Sequence, residues 1–339
     1  MYGNDKKKLL ILVILKVLQH YSDAEHHLTQ QKILYLLRTE YGITCDRRSV
    51  KSNIMDLIEM GYDINMDNGY YLASRDFEPA ELRMLIDSVL FSRHISLNQR
   101  KRLIENLIAQ GNIYFQKKIL HKNALSDLSN TDNKQIMLVI DALNDAIKAE
   151  KKVEFTYNSY GTDFKLHPRP HSPYLVSPYQ MVASNGRYYL LANSERYTDI
   201  TYFRIDRITD IKIMTDIPIK PIKEINGMEN GFNLPRHMAE HTYMFCGESV
   251  YVQLKAPIFM MNDLIDWFGK DFRIAKEFDD YIIVSIKCNY NAMFYWALQY
   301  GAYVEVLSPK GLRQELADTI KEMNDKYSRQ IGGVENEAD

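Results

Sequence analysis

The spacing of apolar residues changes once along this chain, at Lys152, and this change limits the folds that are open to it. Before Lys152, apolar side chains recur every three or four positions, which is typical of helices with one buried face. After it, Val153, Phe155 and Tyr157 alternate with other residues, as in a half-buried strand. The 339 residues are enough for roughly two or three domains. The sequence therefore predicts an α+β multidomain protein.

The first 75 residues contain the signals of three helices followed by a hairpin. Thr29 can cap a helix that ends at Gly42, and Asp46 can cap another that ends before Gly61. The last of these helices carries apolar residues at helical spacing, namely Val50, Ile54, Leu57 and Ile58. An Asp-Asn-Gly turn at 67–69 then predicts a hairpin. We predict a winged helix-turn-helix DNA-binding domain over residues 1–75.

The rest of the chain divides by pattern into further segments. Residues 76–150 have helical spacing with polar joints, which predicts a helical connector. Five or six short strands in residues 151–214 predict a small twisted β-barrel, followed by a linker over 215–248. The element order β-α-β-β-α-β predicts a ferredoxin-like domain over 249–327, and the polar residues 328–339 predict a disordered tail.

The third helix is the candidate reader of double-stranded DNA. Its first turns present unpaired backbone N–H groups, the positive end of the helix dipole and several cationic side chains. The predicted DNA-binding residues on this face are Arg47, Arg48, Ser49, Lys51, Ser52 and Asn53. On an isolated helix such charges are usually only solvated. Two preceding helices and a following hairpin favour contact with the major groove instead.

Two arginines near the end of the strand-rich region form a second candidate site. Arg204 and Arg207 lie among tyrosines and could pair with phosphates while bases stack on the rings. Strand alternation would place Arg204 and Asp206 on one face and Arg207 on the other, unless the strand bends. Structural salt bridges to Asp206, Asp210 or Glu195, with the tyrosines in the core, are the equally open alternative.

Three sequence motifs in this region resemble those of a known family. The segments 176–179 (Val-Ser-Pro-Tyr), 185–190 (Asn-Gly-Arg-Tyr-Tyr-Leu) and 202–208 (Tyr-Phe-Arg-Ile-Asp-Arg-Ile) resemble, in order and spacing, the WYL domain, a bacterial Sm-like β-barrel. Tyr188-Tyr189-Leu190 stands where that family has Trp-Tyr-Leu. Residues 46–64 resemble the winged helix usual in these proteins, and residues 300–313 resemble their C-terminal extension domain.

The resemblance implies a ligand-responsive bacterial transcription regulator, commonly a homodimer. Its barrel would sense a nucleotide or a single-stranded nucleic-acid fragment through a basic pocket. The effector-binding residues that the resemblance implies here are Tyr157, Ser159, Tyr179, Tyr189, Arg204 and Arg207. Two copies would place their third helices on a partly palindromic operator. Dimer contacts could come from the connector and the C-terminal domain, although a core role is equally open for Phe294, Tyr295 and Trp296.

Other classes of protein fit the sequence less well. The longest apolar stretch, Leu9 to Leu15, is too short to span a bilayer, which predicts a cytoplasmic protein with no membrane contact. We expect no enzyme and no cofactor, because the sequence contains no Gly-rich phosphate loop and no catalytic elbow. His237 and His241 lack an evident third ligand, so we expect no metal.

Two alternatives to a transcription regulator stay open at this point. One is an RNA- or single-strand-binding accessory protein of a phage-defence or CRISPR system, in which the barrel itself is the binding surface. The other is an interaction scaffold that binds no nucleic acid. The net charge is only −2, with a local excess of cations in 151–213 and an acidic segment over 214–339, so any polyanion would bind locally.

Overall fold

The computed structural model describes residues 9–92, 94–118, 133–229 and 231–328. The chain divides into two compact units, one within residues 1–131 and the other within 132–339. Within the described residues it contains eleven α-helices together with antiparallel sheets. The predicted tail lies outside the described residues, except for Ser328, which ends the last helix.

Three helices and a short hairpin open the first unit. The helices are α1 (Leu10–Tyr21), α2 (Gln30–Tyr41) and α3 (Arg47–Glu59). The strands β1 (Ile64–Asn65) and β2 (Tyr71–Leu72) pair antiparallel, with Ile64 opposite Leu72. Helices and hairpin thus follow in the order that the sequence predicts.

The helix ends are set by the predicted capping residues. The Thr29 hydroxyl accepts a hydrogen bond from the Lys32 N–H at 3.2 Å, and the Asp46 carboxylate accepts one from the Ser49 N–H at 2.7 Å. Gly42 ends α2 in the left-handed conformation, with φ of 62°. Each side-chain cap satisfies a backbone donor that the helix leaves unpaired, typically worth ~1 kcal/mol.

The apolar stripes of these helices meet in one core. Val50, Ile54 and Leu57 of α3 are fully buried, and Ile58 packs at the margin. The stripe packs against α1 and α2, whose fully buried members are Ile14, Val17, Leu18, Ile33 and Leu37. Burying one such side chain contributes about 1.5–3 kcal/mol. The packing leaves the N-terminal turns of α3 facing outward.

Three further helices follow in the described residues of the first unit. They are α4 (Pro79–Leu90), α5 (Leu97–Gln110) and α6 (Ile113–Lys118). Capping boxes start the first two, with Glu78 and Glu81 at α4 and Ser96 and Gln99 at α5. Helix α6 is not predicted from the spacing of apolar residues, although Asn112 caps it by accepting a hydrogen bond from the Phe115 N–H at 2.8 Å.

The second unit begins with α7 (Ile136–Lys148), which packs against a curled antiparallel sheet. The sheet contains β3 (Lys151–Tyr160), β4 (Leu166–Pro168), β5 (Tyr174–Ser184), β6 (Arg187–Ser194), β7 (Thr201–Arg204) and β8 (Ile208–Pro218). The strand order is β4-β3-β5-β6-β7, and β8 pairs with β3. No strand pairing joins β7 to β8 in the described part of this sheet, which therefore forms a half-barrel.

A four-stranded sheet with helices on one side follows in the same unit, after α8 (Leu234–Glu240). Its elements are β9 (Ser249–Pro257), α9 (Met261–Phe268), β10 (Arg273–Glu277), β11 (Tyr281–Asn289), α10 (Tyr290–Gln299) and β12 (Glu305–Ser308). The strands pair antiparallel in the order β10-β11-β9-β12. The last helix is α11 (Lys310–Ser328).

The structure shows which members of the aromatic triplet at 294–296 belong to the core and which are open to dimer contacts. The Trp296 side chain is fully buried in the core between the sheet and the helices, in edge contact with Phe268. Trp296 is thus a core residue, whereas Tyr295 is 54% exposed. None of the helices over the described ranges is long and apolar enough to cross a membrane.

Candidate nucleic-acid interfaces

The N-terminal turns of α3 form a cationic surface. Arg47, Arg48, Lys51 and Ser52 are exposed, whereas Ser49 and Asn53 are half-buried. No carboxylate oxygen lies within 4.0 Å of the three cationic groups among residues that the structure describes. An exposed cation without an acidic partner is available to a phosphate or a base edge. All six predicted DNA-binding residues lie on this helix within two turns of its start.

Two contacts restrict what this surface can do. The hydrogen bonds from Ser49 lower the pKa of the Asp46 carboxyl, so one negative charge stays fixed at the start of α3. The Asn53 amide donates to the Ser49 carbonyl at 2.7 Å, within the helix. That bond uses one of the two amide N–H groups and fixes the orientation of the half-buried side chain. The three exposed cations are therefore better placed for nucleic-acid contact than Asn53.

The hairpin is fastened to the start of α2. The Tyr70 hydroxyl accepts a hydrogen bond from the Gln30 amide at 3.0 Å, and Tyr71 stacks on His27 with ring centroids 4.4 Å apart. Gly69 has φ of 126°, and a Cβ at this position would lie 3.0 Å from the Cβ of His27. Both the backbone conformation and the lack of space therefore require glycine in the turn.

Tyr157 stands at the centre of the candidate effector site. Its side chain is 6% exposed, and its ring makes edge contacts with Tyr174 and Phe203. Its hydroxyl accepts a hydrogen bond from the Arg204 N–H at 3.1 Å. Burial raises the pKa of Tyr157, so the phenol remains neutral. Tyr157 therefore links β3 to the end of β7.

The chain bends directly after β7, and the bend separates the two predicted arginines. Residues Ile205–Arg207 form a 3-10 turn, so simple strand alternation does not apply there. Arg204 makes two hydrogen bonds to the Asp206 carboxylate, from Nε at 3.0 Å and from Nη2 at 2.6 Å. Asp206 is 2% exposed. The structural alternative thus holds for Arg204, whose charge is largely neutralised.

Arg207 lies in a different environment. Its buried Nε has no hydrogen-bond partner within the described ranges of the chain, and no carboxylate there is within ion-pair distance of it. Glu195 and Asp210 are the other two carboxylates that the sequence offers as salt-bridge partners of the arginines. Glu195 pairs with Lys152 instead, and Asp210 accepts a hydrogen bond from the Gln135 side chain at 3.5 Å. A buried donor without a partner is costly, and an anionic ligand would satisfy it.

Arg169 joins this cluster, although it is not among the effector-binding residues predicted from the sequence. Its guanidinium lies 5.4 Å from the centroid of the Tyr157 ring, and the side chain is exposed. The charges of Arg207 and Arg169 both oppose the increase in the pKa of Tyr157. The sequence around Arg169 shows only an arginine between two prolines, and nothing in it predicts contact with Tyr157 or proximity to Arg207, which are distant along the chain. The structure thus brings together Tyr157, Arg169 and Arg207.

The other predicted effector residues have separate surroundings. Tyr189 is half-buried opposite Arg204, and Asp206 contributes to raising its pKa, after burial. Tyr179 lies at a bulge in β5 and donates its hydroxyl to the Lys220 carbonyl at 2.8 Å. Ser159 is half-buried opposite His167 in the β3–β4 pair. Tyr189 borders the cluster, whereas the Tyr179 hydroxyl is already occupied.

A polar cavity of about 450 Å³ lies elsewhere in the second unit. Its wall includes Tyr202, His237 and His241. The Tyr202 hydroxyl shares a 2.6 Å hydrogen bond with Nε2 of His237, and the two imidazoles stack at 4.3 Å. No group of three or more potential metal ligands occurs in the part of the chain that the structure describes.

The two buried histidines should make stability depend on pH. Burial lowers the pKa of His237 from 6.5 to about 4 and lowers that of His241. Between these values the unfolded chain binds protons that the folded chain does not, so the free energy of unfolding decreases as the pH falls. For His237 we expect a loss of roughly 3 kcal/mol over this range. Urea unfolding at pH 7, 5.5 and 4.5 measures it.

The variant His237→Gln isolates this contribution. Glutamine does not titrate, so the variant should lose less stability on acidification than the unmodified protein. His241 and the carboxylates that line the same cavity are present in both proteins, so they contribute equally to the pH dependence of stability in both. An identical pH dependence in the two proteins would show that His237 is not held neutral by burial.

Comparisons with known proteins agree with the arrangement of the second unit. The model of the WYL domain matches residues 139–213, and that of the WCX domain matches residues 261–323. No curated protein sequence matches the chain. The WYL match begins within α7, earlier than the barrel boundary expected from the strands.

Solved structures resemble the chain only distantly. Proteasome accessory factor B/C (PafBC) of Arthrobacter aurescens is 15% identical with a TM-score of 0.31, and the match covers 96% of this chain. The chain spans about half of that protein, 49% of its length. A CRISPR Cas-related protein is 12% identical with a TM-score of 0.39, covering 74% of this chain and 73% of the other. From the domain matches, this protein contains a WYL domain followed by a WCX domain.

Proposed function

We propose that this protein is a DNA-binding transcriptional regulator. The observation that carries the proposal is the exposed group of Arg47, Arg48 and Lys51 at the start of α3, without a carboxylate partner in the described chain. The helix follows two packed helices and precedes a hairpin, which is the order of a winged helix. Such a helix can enter the major groove with its first turns against base edges.

The proposal includes a homodimer and an effector. Two copies would bind half-sites on operator DNA that are related by approximate twofold symmetry. A nucleotide or a short single strand would bind the WYL domain and favour one arrangement of the two copies. It alters operator affinity only if it binds the two arrangements unequally. The role is binding, and we assign no catalytic step and no cofactor.

Within the WYL domain we assign effector binding chiefly to Arg169, Arg207 and Tyr157. Arg207 offers a buried donor that lacks a hydrogen-bond partner in the described residues, and Arg169 is exposed beside the Tyr157 ring. A phosphate could pair with the guanidiniums while a base stacks on an aromatic ring. The role of Arg204 is positional, because its bonds to Asp206 fix the 3-10 turn that carries Arg207.

The experiment combines operator selection with an effector test. Genomic fragments retained by the full-length protein define an operator, and the pentanucleotide (dT)5 serves as probe for the WYL domain. We expect Arg169→Gln with Arg207→Gln to keep operator binding and to weaken (dT)5 binding roughly 10-fold or more, because charged hydrogen bonds are lost. Calorimetric titration measures the pentanucleotide, and gel retardation measures the operator.

The matched control replaces two exposed cations of the same domain, Lys165→Gln with Lys212→Gln. This variant has the same net charge as the test variant and should bind (dT)5 like the unmodified protein. Equal losses in both variants would mean that only overall charge matters, which contradicts a defined effector site. If the protein retains no genomic fragment, the proposal that it is a DNA-binding transcriptional regulator is wrong.

The exposed Arg169 beside Tyr157 also favours a second candidate function. A guanidinium next to an aromatic ring suits sequence-independent binding of single strands. The protein would then be an RNA- or single-strand-binding accessory protein of a phage-defence or CRISPR system. In that case duplex DNA would bind feebly to the unmodified protein, and Arg169→Gln would reduce oligonucleotide binding.

A further inference from the structure

The sheet of the C-terminal region has one covered face and one open face. Alternate residues of β9 and β11 are buried against the helices, namely Val252, Leu254, Ala256, Ile282, Val284 and Ile286. The residues between them must point to the opposite side, because side chains alternate along a strand. On β9 these outward residues include Tyr251, which is 68% exposed, the exposed Gln253 and the half-buried Lys255.

The strand register places aromatic and cationic groups side by side on this open face. Tyr251 is opposite Lys287, and Lys255 is opposite Ile283 in the two central strands. The Lys255 ammonium group lies 4.4 Å from the centroid of the Tyr281 ring. Phe278 stacks on the same ring at 4.4 Å and holds it in place. Tyrosines thus stand towards both ends of the central strand pair, with a lysine between them.

The edge strand β10 adds further positive charge. Arg273 pairs with Ser285, and Lys276 pairs with Ile283, so both belong to the outward rows and both are exposed. Lys287 is already paired with Glu240 at 3.2 Å. Glu305 of β12 lies opposite Lys255 but pairs with Arg313 at 2.7 Å. The charge left for a ligand on this face is therefore that of Lys255, Arg273 and Lys276.

This local charge differs from the composition of the segment. Residues 214–339 contain more acidic than basic side chains, which by composition makes nucleic-acid contact least expected there. The register separates the charges, because three cations with no carboxylate within 4.0 Å in the described chain share the open rows. Asp279 and Asp280 lie in the turn between β10 and β11, immediately before Tyr281, and mark the end of the surface.

The chemistry of the surface matches one class of ligand. Four-stranded sheets that bind single-stranded RNA stack two or three bases on aromatic side chains of the central strands. Bases stack on tyrosine without regard to sequence, while cations beside the rings contact the phosphates. Duplex DNA hides its bases and does not offer them to a flat sheet. The positions of the cations and of the aromatic rings therefore both favour single-stranded nucleic acid as the ligand.

We infer that the open face of this sheet binds single-stranded nucleic acid, with one base on Tyr251 and a second on the face of Tyr281 that Lys255 covers in the free protein, and with phosphates at Lys255, Arg273 and Lys276. This site is separate from the effector site of the WYL domain, whose residues are on other strands. The inference does not require the third helix to bind DNA. It adds a surface on which a strand could be held independently of any effector.

The test measures binding of fluorescein-labelled (dT)12 to the full-length protein by anisotropy. In a background that carries Arg169→Gln and Arg207→Gln, and so lacks the proposed effector site of the WYL domain, we expect Tyr251→Ala with Tyr281→Ala to weaken binding roughly 10-fold or more, because two base-stacking contacts are lost. The conservative variant Tyr251→Phe with Tyr281→Phe keeps both rings and should bind nearly as well as the unmodified protein. The matched control Tyr295→Ala with Tyr303→Ala removes two other exposed tyrosines and should leave binding unchanged.

A second arm separates this face from the WYL domain. In the Arg169→Gln, Arg207→Gln background, (dT)12 binding should persist and remain sensitive to the Tyr251 and Tyr281 substitutions. Cross-linking of an iodouracil-substituted strand should modify Tyr251 or Tyr281. If the two tyrosines have no effect and the arginine substitutions abolish binding, this inference is wrong while the proposed function stands.

Association between copies is the competing use of an open sheet face, and sedimentation velocity detects it. If the alanine substitutions change the association state but not (dT)12 affinity, the face is an interface between copies and the inference is overturned. Unchanged sedimentation together with weaker (dT)12 binding supports it. Circular dichroism of each variant shows whether the fold is kept. If the alanine pair does not fold, the positions cross-linked in the unmodified protein still test the inference, and cross-links at neither Tyr251 nor Tyr281 would contradict it.

Discussion

Replacing Arg47 and Lys51 by alanine is expected to remove operator binding almost completely. Both side chains are exposed at the start of α3 with no carboxylate within 4.0 Å in the described residues. A direct base contact is worth about 1–3 kcal/mol, so losing two contacts in each of two copies costs about 4 kcal/mol or more and weakens binding by roughly three orders of magnitude. Anisotropy titration on a selected operator measures the change, and the dependence of affinity on salt should also become less steep.

The control for this experiment is Lys101→Ala with Arg102→Ala on α5. Both residues are exposed, and the variant loses the same two positive charges. It should retain operator binding close to that of the unmodified protein. If the Arg47 and Lys51 variant still retards its operator normally, α3 is not the reader. The hairpin or the WYL domain would then have to contact the duplex.

Replacing Asp206 by alanine is expected to destabilise the second unit by about 3–5 kcal/mol, because it leaves the partly buried Arg204 guanidinium without its counter-ion. Asp206 is 2% exposed and accepts two hydrogen bonds from Arg204. Urea unfolding followed by tyrosine and tryptophan fluorescence measures the loss. We expect (dT)5 binding to fall as well, since the 3-10 turn that carries Arg207 loses its support.

Two further variants show whether the pair itself is responsible. Asp216→Ala removes an exposed carboxylate from β8 and should change the free energy of unfolding by less than about 0.5 kcal/mol. Replacing both partners, Arg204→Met with Asp206→Leu, should cost less than Asp206→Ala alone, because no buried charge is left unpaired. A double variant that is less stable than Asp206→Ala would contradict this explanation.

The same pair explains why Arg204→Ala is a poor test of effector binding. Arg204→Ala would remove two hydrogen bonds from the buried Asp206 carboxylate, so a loss of binding could follow from a disturbed turn. Arg207 and Arg169 have no carboxylate within 4.0 Å in the described chain, and their substitution carries no such cost. The structure thus moves the decisive substitutions from Arg204 to these two residues.

Local signals were sufficient where a few neighbouring residues fix the backbone. Thr29, Gly42 and Asp46 delimit helices as predicted, because each acts on backbone groups within a few positions. The WYL resemblance, carried by motifs around Tyr188 and Arg204, agrees with the match of residues 139–213. The short helix α6 was missed because its apolar residues are too few to establish a helical period.

Contacts between distant residues were not predictable in this way. Strand alternation placed Arg204 and Asp206 together but could not reveal the 3-10 turn, which arises where the chain passes from β7 to β8. Arg169 meets Tyr157 only because β4 pairs with β3. The open face of the C-terminal sheet likewise depends on a register between strands that are about 30 residues apart.

The sequence by itself determined where most of the helices and strands lie, the apolar stripe of α3 and the cationic residues opposite that stripe, because these depend on periodicity and on short-range hydrogen bonds. Only the tertiary structure decided which charges have partners. It neutralises Arg204 with Asp206 and leaves the Nε of Arg207 without a hydrogen-bond partner in the described chain. The physical reason is that the availability of a charge depends on distance and burial, and packing sets both.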